Sequence, residues 1–151
     1  VNQAELRQMA EERIKDAKAL LDAGRWKFAY YVAGYAVECA LKSCLLARMV
    51  HTAWVFEDRW KAQDCLTHDF GELIRLAGLG VELGKKTAAS AAAAAAAGGP
   101  PGGAFAGHWG VVIQWEVASR YQARTEAESK GLYEAITHTP DGVLPWLKTF
   151  W

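Results

Sequence analysis

Polar and apolar positions in the first two dozen residues repeat with helical spacing. Leu6, Ala10, Ile14, Ala17 and Leu21 fall at i, i+4, i+8, i+11 and i+15, one stripe that Met9 and Leu20 widen. Glu11 and Lys15 form an i,i+4 pair in the favourable order, and Gly24 marks the stop. The next run is different. From about Arg25 to Met49, Phe28, Ala29, Tyr31, Val32, Ala36, Val37, Ala40, Leu41, Leu45 and Leu46 cover most of the circumference, which predicts a helix central to its bundle or at a subunit interface. Gly34 weakens helix propensity there, so a packing reason for it is expected; Ala33, Ala36 and Ala40 also permit close approach.

Residues 51–67 are mixed in pattern, carry Trp54, Phe56 and Trp60, and read as a loop with one irregular turn. Asp69 and Glu72 have capping-box spacing ahead of Phe70, Leu73, Ile74 and Ala77, with Gly78 and Gly80 ending a third helix. The stretch Thr87 to Gly103 is of low complexity: its alanines favour helix but present no polar face, and Gly-Gly-Pro-Pro-Gly-Gly breaks the chain. A fourth helix is predicted over His108 to Tyr121 with Trp109, Val112, Ile113, Trp115 and Ala118 inward. Thr125 and Glu128 open a fifth through Leu132, Ala135 and Ile136, which Pro140 interrupts. Val143, Trp146, Leu147 and Phe150 give a short final helix that tolerates Pro145 in its first turn. No segment alternates at period two. The expected fold is an all-α, up-and-down bundle of four to five helices, a single domain over 1–151 with an Ala/Gly/Pro insert at about 87–107.

Composition narrows the function classes. Lys+Arg and Asp+Glu both number 17, so no net charge attracts nucleic acid or an acidic membrane; nucleic-acid contact would need a local basic patch. The three cysteines, Cys39, Cys44 and Cys65, fit no zinc spacing and suggest reduced thiols in the cytoplasm. The opening Val-Asn-Gln-Ala-Glu-Leu-Arg lacks the apolar core of a signal peptide, and Glu38 and Lys42 interrupt the longest apolar run, so no membrane span is expected. Seven tryptophans are many for this length, and some are expected to pack against a partner.

Catalytic patterns are missing: the glycine-rich stretch has no Lys-Ser/Thr, no His-Glu-x-x-His occurs, and the four histidines are scattered. No metal or cofactor is expected. The candidates are polar residues among apolar ones. Glu38 and Lys42, one turn apart, read either as an ion pair on a wet stripe, worth about 0.3–0.5 kcal/mol, or as the lining of a cleft. Arg120 reads as a helix-end cation, as a partner for Glu38, or as a phosphate-binding fork, with Tyr121 beside it to stack on a base or to pack. His68, ahead of Asp69, reads as a structural hydrogen-bonding residue near a cap.

The run Ala29-Tyr30-Tyr31-Val32-Ala33-Gly34-Tyr35-Ala36-Val37-Glu38-Cys39-Ala40-Leu41-Lys42 resembles the signature helix of HEPN-domain proteins (higher eukaryotes and prokaryotes nucleotide-binding). Ala17, Leu20, Leu21 and Gly24 resemble that family's first helix, His68-Asp69-Phe70 with Leu73 its His-Asp-Leu-x-x-Leu segment, and Trp109, Trp115 and Arg120-Tyr121 its later Trp…Arg-Tyr segment. The resemblance implies a bundle of four or five helices, commonly a homodimer, associated with nucleotide or RNA binding and often paired with a minimal nucleotidyltransferase in toxin–antitoxin systems. Family members that cleave RNA carry Arg followed four to six residues later by His; here Arg120 is followed by Tyr121, with Thr125 and Glu126 where that His could fall. The resemblance therefore implies a nucleotide- or RNA-binding module through Arg120, Tyr121, Lys42, Glu38 and His68. The alternatives are a metal-independent RNase whose His68 or His138 meets Arg120 across the bundle or dimer, and a purely structural interaction subunit.

Overall fold

The computed structural model describes residues 1–51 and 65–151. Among these lie seven α-helices: α1 (Gln3–Asp22), α2 (Trp26–His51), α3 (Phe70–Leu76), α4 (Gly80–Ala97), α5 (Gly103–Val112), α6 (Glu126–Thr137) and α7 (Val143–Leu147), with a 3-10 turn at Val117–Tyr121 between α5 and α6. No strand occurs among the described residues, as the absence of period-two alternation predicts.

Helix α1 starts on a capping box in which the Asn2 side chain accepts from the Glu5 N–H and Glu5 returns to the Asn2 N–H, closing two orphan donors. It stops at Gly24, whose φ of +68° lets the Arg25 N–H reach back to the Leu20 carbonyl at 2.8 Å. This turn reverses the chain, so α2 runs antiparallel to α1, and near the far end the Gln3 amide donates to the Ser43 carbonyl. The predicted stripe is the face that α1 buries: Ala10 and Ala17 are fully enclosed and Leu21 nearly so.

Helix α2 is central, as its all-round apolar pattern requires. It packs against α1, α3, α6, α7 and the 3-10 turn, and Ala33, Ala36, Val37, Ala40 and Leu41 have no exposed surface. The packing reason for Gly34 is Trp115: a Cβ at Gly34 would lie 2.2 Å from the indole. That indole stacks between Phe70, at 5.0 Å, and Tyr31, at 6.0 Å.

Two boundaries differ from the sequence reading, so the bundle has more helices than the expected four to five. Gly78 ends α3, but Gly80 opens α4 rather than closing anything, and α4 runs on through the alanines to a left-handed Gly98. Ala propensity favours that helix, which packs on α5 and whose residues beyond Ser90 are half-buried or exposed. Ser90 interrupts the alanines and tethers the hairpin: its hydroxyl accepts from the Phe105 N–H, an orphan donor in the first turn of α5. The helix expected over His108 to Tyr121 is split. Val111, Val112 and Ile113 are β-branched and weakly helical, and Glu116 turns extended (φ −141°, ψ 156°), which carries Trp115 down onto Gly34. Helical periodicity continues across such a break and cannot reveal it. The irregular turn expected within 51–67 falls largely on residues 52–64, outside the described residues; Cys65 and Leu66 lie in a 3-10 turn.

Candidate functional site

The five residues singled out from sequence separate into two groups. Glu38, Lys42 and His68 come together at the middle of α2. The Glu38 side chain is 3% exposed, and its Oε1 receives both the Lys42 ammonium at 2.8 Å and His68 Nδ1 at 2.8 Å. The i,i+4 ion pair is therefore present, but not on a wet stripe: the carboxylate is buried and lines a cleft, while Lys42 keeps 22% and His68 49% of its side chain exposed. His68 stays beside the cap of α3. Asp69 accepts from the Glu72 N–H at 2.7 Å, and the Glu72 carboxylate turns to Arg75. The burial of Glu38 is felt next door, where desolvation first and then this carboxylate push the Cys39 thiol up to about 11.

Arg120 and Tyr121 lie elsewhere, on the 3-10 turn. The expected pairing of Arg120 with Glu38 is absent among the described residues: Glu38 Oε1 is paired with Lys42 and His68, and Arg120 sits on a separate element with its guanidinium over Tyr121. The Arg120 guanidinium stands 4.8 Å over the centre of the Tyr121 ring, and that ring is 73% exposed. Arg120 is exposed and makes no ion pair among the described residues.

Around this turn the fold gathers cations that the sequence reading passed over. Arg124 lays its guanidinium 4.2 Å over the centre of Tyr30 and bonds to Ser119, Gln122 and Glu128. With Ala123 it walls a depression of about 320 Å³ whose other side is the α1–α2 turn: Arg25, Trp26, Lys27 and Phe28. The first turn of α2 holds no acidic residue, so its amide dipoles add to the positive field there. Glu116, Glu126 and Glu128 are acids near this edge, and Glu126 is paired with Lys130. Glu116 accepts from Gln122, and the Glu128 pKa is lowered by hydrogen bonds from Thr125 and by Arg124. A signal existed in the sequence: Arg25, Lys27, Arg120 and Arg124 all flank helix ends, where turns meet.

The histidines offered as partners for Arg120 are otherwise engaged within the chain. His68 is held by Glu38. His138 stands beside His108, ring centres 5.0 Å apart, and accepts from the Asp141 N–H at 3.4 Å, while His108 donates to the Asp141 carbonyl. Among the described residues no three His, Cys, Asp or Glu side chains are grouped to hold a metal ion, and no helix is long and apolar enough to cross a membrane.

The HEPN domain family model matches residues 3–55, the segment that contains α1 and α2 and the run from Ala29 to Lys42. The match supports the HEPN resemblance of that run, over the N-terminal part of the chain, and points to a function connected with nucleotides or RNA. No curated protein and no solved structure gives a significant match.

Proposed function

We propose that this HEPN-type chain is a binding module for the phosphates of nucleotides or RNA, and that its contact face is the edge where the α1–α2 turn meets residues 117–124. Arg120 carries the reading: an exposed guanidinium with no ion pair among the described residues, held over an exposed tyrosine ring. A fork of this kind suits phosphate oxygens, and Tyr121 offers a face for an unstacked base. Arg25 and Lys27, which line the depression with Arg124, supply the local positive charge that a chain of zero net charge otherwise lacks. Lys42 has no such freedom, since its ammonium is committed to Glu38.

In this reading the chain works as a homodimer and as the partner subunit of a minimal nucleotidyltransferase in a toxin–antitoxin-type pair, the assembly that the HEPN resemblance implies. Fluorescence anisotropy with a labelled short single-stranded RNA tests the face. Arg120→Ala weakens binding and flattens the dependence of log K on log salt by about 0.7 for each phosphate no longer neutralised, while Lys42→Ala leaves both unchanged. Identical curves for the native protein and Arg120→Ala would sink the assignment. A monomeric mass by light scattering at micromolar concentration would remove the homodimer.

A further inference from the structure

Glu38 has a second oxygen that the cluster does not use. Oε1 takes both Lys42 and His68, whereas Oε2 is buried with no hydrogen-bond partner among the described residues. Leaving a buried carboxylate oxygen unpaired is costly, and such atoms mark places where a donor belongs. Glu38 lines a cleft of about 500 Å³ between α1 and the C-terminal half of α2, walled by Leu6, Met9, Tyr35, Leu45, Leu46 and Met49. That size falls within the roughly 300–1,000 Å³ range of small-molecule sites, and a mostly apolar wall with a few polar groups, here Glu38 and Lys42, is their usual make-up.

We propose that this cleft is a second site, distinct from the cationic edge, that takes a neutral aromatic molecule of one or two rings donating a single N–H or O–H to Glu38 Oε2. Neutrality follows from the charges present. The Lys42 ammonium already balances the carboxylate, so another cation would be desolvated close to Lys42, and a phosphate would meet the buried negative charge. A flat ring follows from the walls: Tyr35 offers an aromatic surface, and the thioethers of Met9 and Met49 adapt to ring faces and edges. One free acceptor oxygen selects one donor.

The chain has two methionines, Met9 and Met49, and both line the cleft, so methyl-labelled methionine gives a signal confined to it. Indole and 1-methylindole are the probes, equal in shape but for a methyl group and differing in the N–H. Indole shifts both methionine methyl signals, and 1-methylindole needs about ten-fold higher concentration for the same shift. Leu46→Trp, which fills the cleft without touching Glu38, abolishes the shifts, and Arg120→Ala leaves them intact. No shift with indole, or identical curves for the two probes, overturns the site. Tighter binding of 1-decanol than of indole overturns the aromatic class of occupant.

Discussion

Two groups of charged residues sit on one scaffold, and they use their charge in opposite ways. At the middle of α2, Lys42 and His68 both converge on a Glu38 that is 3% exposed, so the polar groups there serve the protein's own interior. At the 3-10 turn, Arg120 has a tyrosine ring beneath it and no ion pair among the described residues. A residue type and its spacing do not distinguish these cases; burial of the counter-charge does. Phosphate recognition needs a cation whose partner is still to come, and on this chain the outer edge meets that requirement.

The two groups are mechanically joined through Trp115, which rests on Gly34 one turn before Glu38, stacks on Phe70 two residues after His68, and leads into the turn that carries Arg120. Trp115→Ala is expected to have the largest effect, about 3–5 kcal/mol of stability, because it empties a buried aromatic site that three elements share. Urea denaturation measures the loss. A change below about 1 kcal/mol would show that the elements hold together without it.

Glu38→Ala comes next. Breaking a fully buried pair costs about 3–5 kcal/mol, but Lys42 and His68 both reach solvent and can rehydrate, so about 1–3 kcal/mol is expected here. The double variant with Lys42→Ala should lose less than the sum of the two single losses, since each residue's role depends on the other. Additive losses would mean that the pair is not coupled, and the contrast between the two groups would collapse. Arg120→Ala, by comparison, should stay within about 0.5 kcal/mol of the native stability.

Much of this was legible in the chain itself. The stripe from Leu6 to Leu21 and the all-round apolar α2 gave two helices and the centrality of the second, because burial in a bundle follows the 3.6-residue period. Thr125 and Glu128 form the capping box that their spacing predicts. Helix α4 escaped because an alanine run has propensity but no face, and the break before Trp115 escaped because periodicity carries no phase information across a turn. The cleft reading of Glu38 was legible as a charge in an apolar helix. Arg25, Lys27 and Arg124 were legible only as cations near helix ends, since the edge they form exists only once the α1–α2 turn packs beside Ala123 and Arg124.

The smallest expected effect lies on that edge and separates stability from binding. The Glu128 carboxylate accepts from the Thr125 N–H at 2.7 Å and from its hydroxyl, and Arg124 adds its charge; together they lower its pKa from the ordinary value of 4.5. A carboxylate with a depressed folded pKa contributes stability that is present above its unfolded value and lost as pH falls through the folded one. Glu128→Gln should therefore lower Tm slightly near neutral pH, and the difference should fade as the pH falls below the ordinary carboxylate value and through the lowered one. The same substitution removes a negative charge beside Arg124, so RNA binding at neutral pH should tighten while stability falls. If binding weakens along with stability, Glu128 holds Arg124 in place for the ligand rather than competing with it, and the edge is more ordered than a set of free cations.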